Sequence, residues 1–380
     1  MRKWLMLGVI LSGLMSFSSA AGTQETLIQF YYTDGESLYL YTVNNHHSEP
    51  IALPNAEGWL SGISVAPDER YIAYTHHTDD ATTLRFLDQV TGEVTIFPKL
   101  EHPGDPYFPS GFDYSSWIQP HAWNHNGELL LGRMIWEKFV KGWGSIHDLT
   151  FHDFPPIPYI PDPYPQLYDH PFVCGKLVWS PDGDQIAMGR NCQHPGLWLY
   201  DLNTGRLKLL IWQQAQVGIG NNLLYPYRVR DLAWSPDQER IAFTMDGYSY
   251  WSSHLYVIRP DGTGLQRLTP QPYPNLAWCI FWQDNHTLLY WVDNHQHTSG
   301  IEGPTPSGDG TLYRYQLDTN QHTPIFTNFA CPQSISPDGQ YLLFGQTDGL
   351  ALYDIQAQIV IPLPDLRGAR FIEWAIRPLL

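Results

Sequence analysis

Positive charge is what this sequence most lacks. Its 21 Lys and Arg stand against 38 Asp and Glu, a formal net charge of −17 at pH 7. Nucleic acids and anionic membrane surfaces are gripped by basic faces, so neither is expected as a partner. Charge of either sign is scarce, 16% of residues against the roughly 25% of an ordinary soluble protein. Solubility must rest on Tyr, Asn, Gln, Ser, Thr and His. Long apolar runs are missing too: Trp4 to Met15 is about a dozen residues, short of the roughly 20 that cross a bilayer, and no later stretch is long enough. No segment repeats apolar residues every 3.6 positions or so, which predicts very little helix. Only four cysteines occur, none as Cys-x-x-Cys, and this weighs against a metal site. There is no Gly-x-Ser-x-Gly elbow, no His-Glu-x-x-His and no glycine-rich phosphate loop after a strand. No cofactor is implied.

What is present begins with an export signal. Arg2 and Lys3 precede the apolar Trp4–Met15 core, and Ser18-Ser-Ala20 or Ser19-Ala-Ala21 supplies the small-x-small cleavage pattern. Residues 1–21 are read as a signal peptide and residues 22–380 as a single domain. Cleavage removes two positive charges and leaves the mature chain at −19, in the periplasm or secreted. The first cysteine is Cys174, so none follows the cleavage site to carry a lipid.

The mature chain is organised around one hairpin. Leu177 to Gly189 reads as a strand ending in an aromatic, a tight turn and a second strand. Pro181 suits the first central turn position because its ring fixes φ, Asp182 suits the second, and Gly183 supplies the positive φ that follows. The figure recurs as Val65-Ala-Pro-Asp-Glu69, Trp123-Asn-His-Asn-Gly127, Trp234-Ser-Pro-Asp-Gln238, Trp282-Gln-Asp-Asn285 and Ile335-Ser-Pro-Asp-Gly339. Trp374-Ala-Ile-Arg-Pro378 is a remnant. A second turn type, Asp88-Gln-Val-Thr-Gly92 and Asp201-Leu-Asn-Thr-Gly205, joins third to fourth strands, with looser versions at Pro260-Asp-Gly-Thr-Gly264 and Leu317-Asp-Thr-Asn320. The opening unit has strand candidates at 27–32, 37–43 and 51–53 but lacks a first strand, whereas the C-terminal Ala369–Trp374 is a first strand with nothing after it. These units predict an all-β, seven-bladed β-propeller of four-stranded antiparallel blades, the first blade completed by the C-terminal strand.

The repeated Trp-Ser-Pro-Asp-Gly…Ile-Ala block resembles the TolB-type propeller repeat, found in TolB and in the propeller domains of prolyl-oligopeptidase-like enzymes. The resemblance covers essentially the whole mature chain. It implies the fold and is nearly silent on function.

Strand order places both short turn types on one face of the ring. The other face carries the long irregular segments 98–119, 154–171, 213–228 and 293–310, which are rich in aromatics and Pro and are longer than ordinary connections. Loops between second and third strands are expected to add His76, His77, Trp136, Trp143, His194, Tyr250, Trp251, His295 and His297. Flat rings beside His, Asn and Asp suit sugars or peptides. Trp143 and Trp251, with His121, His295 and His297, are the candidate ligand-binding residues. His121 is included because it lies on a first strand bordering the channel. For the cysteines, Cys174 and Cys192 flank one hairpin, and Cys279 and Cys331 occupy equivalent ends of first strands in neighbouring repeats. Both pairs are disulfide candidates in an oxidising compartment.

Two functional readings stand side by side. One is an exported, monomeric, non-enzymatic propeller that binds a protein, peptide or glycan through its long-loop face. The alternative is a propeller enzyme of polysaccharide-lyase type using channel His and carboxylates, which a strongly negative chain suits poorly when the substrate is itself acidic.

Overall fold

The computed structural model describes residues 28–54, 57–79, 81–97, 118–135, 137–153, 173–190, 196–211, 229–246, 253–269, 277–293, 310–346, 349–366 and 369–375. The first blade contains β1 (Gln29–Thr33), β2 (Leu38–Thr42) and β3 (His47–Ile51). The second holds β4 (Trp59–Val65), β5 (Tyr71–His77), β6 (Thr82–Asp88) and β7 (Val94–Ile96). The third holds β8 (Ile118–Trp123), β9 (Glu128–Ile135), β10 (Glu137–Ser145) and β11 (Phe151–Asp153), and the fourth β12 (Val173–Trp179), β13 (Gln185–Arg190), β14 (Gly196–Asp201) and β15 (Arg206–Ile211). The fifth comprises β16 (Val229–Trp234), β17 (Ile241–Asp246), β18 (Ser253–Ile258) and β19 (Gln266–Arg267). The sixth has β20 (Ala277–Trp282), β21 (Thr287–Asp293), β22 (Gly310–Gln316) and β23 (Gln321–Phe329), and the seventh β24 (Ser334–Ile335), β25 (Tyr341–Gln346), β26 (Gly349–Asp354) and β27 (Ile359–Leu363). The last strand, β28 (Arg370–Trp374), returns to the first blade and pairs antiparallel with β1, Trp374 facing Phe30.

The chain therefore closes a seven-bladed ring of four-stranded antiparallel blades, the first completed by the C-terminal strand. Closure removes the open sheet edge that a split first blade would otherwise leave. Beyond the ladders within blades, β10 also pairs with β12 of the next blade through Phe139–Cys174 and Val140–Val173. The third strand of the opening blade is His47–Ile51 and not 51–53. His47-Ser-Glu-Pro has little β propensity of its own, and its pairing with β2 decides the strand. Among the described residues the only helical turns are Val43–Asn45 and Pro364–Leu366, and no helix is long and apolar enough to cross a membrane.

The repeated motif has two physical jobs. Its turn closes as expected, with Gly183 N–H donating to Ser180 O at 2.9 Å and Gly183 at φ 78°. The Ser hydroxyl then donates to the Asp carboxylate at 2.5 Å in all three Ser-Pro-Asp copies, Ser180–Asp182, Ser235–Asp237 and Ser336–Asp338. The Trp does the second job, reaching back to the preceding blade. Trp123 Nε1 donates to Ser64 O at 3.1 Å, Trp179 to Ala122 O at 2.9 Å and Trp282 to Ala233 O at 3.0 Å. Trp374 does the same across the closure, donating to Ser334 Oγ at 2.9 Å. A buried indole N–H needs an acceptor, and for these four the neighbouring blade supplies one. Each of the seven seams between blades also holds its own buried apolar cluster.

Inner strands are bulged in five blades, at Ser61/Ile63, Pro120/Ala122, Val229/Asp231, Trp278/Phe281 and opposite Tyr31/Thr33. Bulges re-aim side chains and local twist. The bulge of β20 puts Cys279 at φ 51°. Beside it, Ile280 N–H donates to Asp231 Oδ2 at 2.9 Å, and Asp231 Oδ1 takes Lys176 Nζ at 2.5 Å. Cys279 is disulfide-bonded to Cys331, Cα to Cα 6.1 Å. An ionic, a hydrogen-bonded and a covalent link thus tie the fourth to seventh blades in sequence. Cys174 lies on β12, whose described pairing with β13 ends at Gly175–Arg190. Cys192, and with it the proposed Cys174–Cys192 bridge, falls outside the described residues.

Candidate functional site

At the long-loop end, the described residues build one ordered constellation, on the second blade. His76 and His77 are not in a loop as expected from the sequence. They end strand β5 and are buried, because Ile72-Ala-Tyr-Thr continues its β ladder with β4 and β6 through both histidines. On one sheet face Trp59, His77 and Thr82 lie directly opposite one another across three strands. The Trp59 and His77 rings stack with centroids 3.6 Å apart and planes 8° apart. His77 Nε2 bonds the Ser61 hydroxyl at 2.6 Å and its Nδ1 bonds the Thr82 hydroxyl at 2.9 Å. Burial, aided by neighbouring His76, pushes the His77 pKa down to about 4.

A serine, a histidine and a third hydroxyl in line have the connectivity of a nucleophile and its base. The electrostatics do not support that chemistry. An imidazole held near 4 is a weak base at neutral pH, a threonine hydroxyl cannot stabilise an imidazolium as a carboxylate does, and Ser61 is only 4% exposed. What the hydroxyls achieve is to lock the imidazole from both sides. The locked ring backs Trp59, which remains 49% exposed. The result is a preorganised aromatic surface on rigid strands. On the other sheet face, His76 is buried, and neither of its ring nitrogens has a hydrogen-bond partner among the described residues. Its pKa is lowered by burial and by the Arg85 charge.

Of the residues singled out from sequence, Trp143 lies within β10 and not in a loop. Its half-buried ring packs against the cluster between the third and fourth blades and stacks on His152, centroids 4.0 Å apart. His121 sits where β8 bulges between Pro120 and Ala122, its side chain outside the described residues. Trp251, His295 and His297 also lie outside them. No group of three or more His, Cys, Asp or Glu among the described residues is placed to hold a metal ion. Trp59 went unnoticed in the sequence because it stands at a strand start, outside the repeat motif. Its pairing with His77 is visible only once β4 and β5 are in register.

The opposite, short-turn end carries a cavity of about 430 Å³ in the seam between the second and third blades. The Ala66–Asp68, Asn124–Gly127 and Ile146–His147 turns and Tyr71 line it, and it is open to solvent.

Ring closure, strand order and repeat chemistry define the class. In fold the chain is a seven-bladed β-propeller. Among solved structures it is similar to a prolyl endopeptidase (TM-score 0.54, 9% identity, 92% of this chain and 49% of that one). It is similar also to an oligogalacturonate lyase in complex with manganese (0.53, 12%, 88% and 83%) and to TolB from Acinetobacter baumannii (0.45, 14%, 92% and 66%). Identities this low bear on the fold alone. No protein-family model and no curated protein matches the chain.

Proposed function

We propose that this chain is an exported, non-enzymatic propeller that binds a protein, peptide or glycan through its long-loop end, with Trp59 as an anchor. The observation that carries the reading is the Trp59–His77 stack: a large, half-exposed aromatic held rigid by a histidine that is itself fixed at both nitrogens. Rigid aromatics give contact area at little entropic cost, which is why they dominate binding hot spots. Trp251, His295 and His297, which lie outside the described residues, and His121, whose backbone is in inner strand β8, are proposed to complete the surface. Trp143 serves packing in this reading. Export is supported by the N-terminal signal pattern and by the Cys279–Cys331 bridge, which belongs in an oxidising compartment. We take the protein to be a monomer.

The polysaccharide-lyase alternative calls for basic groups facing an acidic sugar. Lys176 on inner strand β12 is tied to Asp231, and the net charge of −17 disfavours polyanions. Peptide and glycan arrays probed with the wild-type protein and with Trp59→Ala test the proposal. Binding should weaken by about 1–3 kcal/mol with folding unchanged. Equal binding by the variant would remove Trp59 from the surface, and chelator-sensitive cleavage of a polymer would replace the binding reading with the lyase.

A further inference from the structure

We infer that the cavity between the second and third blades, on the short-turn end, is a separate binding site for a neutral, monosaccharide-sized polyol. Its volume of about 430 Å³ falls within the few hundred Å³ common for small-ligand sites. The walls are preorganised by bonds among themselves. Asn124 is wholly occupied in holding its turn. Its Oδ1 accepts from Asn126 N and Glu128 N, each at 2.9 Å, and its amide donates to Gly183 O of the next blade at 3.1 Å and to the Glu128 carboxylate. Asp68 accepts from Arg70 N at 3.0 Å, which fixes the first turn. His147 Nε2 meets Asn126 O at 3.1 Å. A carbonyl only accepts, so that nitrogen carries the proton and Nδ1 is the ring's other polar atom.

The lining chemistry selects the ligand class. Tyr71, Pro67 and Ile146 offer apolar surface, while Asp68, Asn126, His125 and His147 bring donors and acceptors to the lining. A sugar ring has the matching pattern, an apolar C–H face and hydroxyls that both donate and accept. Arg70 does not compete for it: its guanidinium covers one face of Tyr71 at 5.0 Å and is paired with Asp88 at 3.0 Å. An anion would face Asp68 with no unpaired guanidinium or ammonium in the lining, and a simple cation would use only that one carboxylate. This site lies on the face opposite Trp59 and does not depend on that surface.

Calorimetric titration of the full mature chain with methyl glucoside, glucosamine and glucuronate tests the assignment. Methyl glucoside should bind with a Kd on the order of 1 mM, and glucuronate at least about tenfold more weakly. Asp68→Ala should abolish the response by removing its acceptor. His125→Trp, at an exposed position on the rim, should abolish it by filling the mouth. Both residues are exposed; His125→Trp leaves the Asp68–Arg70 turn bond intact, so its circular dichroism and melting should match wild type, whereas Asp68→Ala should keep the fold and melt slightly lower. No heat with any of the three sugars at about 50 mM overturns the proposal. Binding only by glucosamine overturns it in favour of a cation site, and methyl glucoside binding that survives both substitutions places the sugar elsewhere.

Discussion

Removing the Cys279–Cys331 bridge is the perturbation whose size follows most directly from the fold. The bridge links the inner strand of the sixth blade to the segment entering the seventh, across 52 residues of chain. Cross-linking a loop of that length removes roughly 14 cal/mol/K of entropy from the unfolded chain, about 4 kcal/mol at 25 °C. A second contribution is local. Cys279 holds a left-handed backbone at φ 51°, a conformation that costs a non-glycine residue about 1–2 kcal/mol. The bridge holds it in place beside the Ile280 N–H···Asp231 bond, 2.9 Å long. A Cys279→Ala/Cys331→Ala chain should therefore lose about 4 kcal/mol in equilibrium urea unfolding followed by tryptophan fluorescence. Mass spectrometry of the wild-type chain, with and without reductant, should show the bridge independently. A loss under about 1 kcal/mol would refute the argument, because a closed loop of this length cannot be so nearly neutral unless the unfolded chain already holds the two blades together.

Four further outcomes are expected. Burial pushes both His77 and His254 down to about 4, the Arg267 charge adding to the effect at His254. Because their folded pKa values lie below the unfolded value of about 6.5, the stability they confer is full above that pH and is lost as pH falls towards 4; after solvent screening this is about 1–2 kcal/mol each, read as a falling melting temperature that His77→Gln should partly flatten. Gly339→Ala should cost about 3 kcal/mol in thermal or urea unfolding, since its Cβ would stand 2.5 Å from the Gln283 carbonyl oxygen at φ 72°. Gln238→Gly, relieving φ 65° in the equivalent turn, should be neutral or stabilising by up to about 1 kcal/mol. Trp282→Phe should cost about 1–2 kcal/mol more than Trp234→Phe in the same assay, because Trp282 Nε1 holds the Ala233 carbonyl at 3.0 Å while Trp234 Nε1 has no acceptor among the described residues. Equal costs would mean that the tryptophans act by packing alone.

Local chemistry made the architecture legible. Pro at the first turn position, Asp at the second and a positive φ after them favour a hairpin through a few consecutive residues. Counting those hairpins, and seeing that the first lacked its inner strand while the last strand lacked a partner, was enough to predict seven blades and the closing pair of β28 with β1. The Cys279–Cys331 pairing was readable for the same reason, since equivalent positions of neighbouring repeats lie side by side.

The candidate sites were another matter, because they depend on register and on which blade faces which. Trp59 gains its rigidity from His77, which lies directly opposite it in the β4–β5 ladder, and His77 is buried only because β5 extends through it. Trp143 looked like a loop aromatic until the β9–β10 hairpin carried it into the seam with the fourth blade. The acceptors of the repeat tryptophans and the cavity beside Asp68 are contributed by neighbouring blades, across some fifty to sixty residues of chain. Turn geometry is a property of a few consecutive residues, so the sequence alone determined the blades. Burial, hydrogen-bond partners and cavities exist only between blades, and the closed ring decided those.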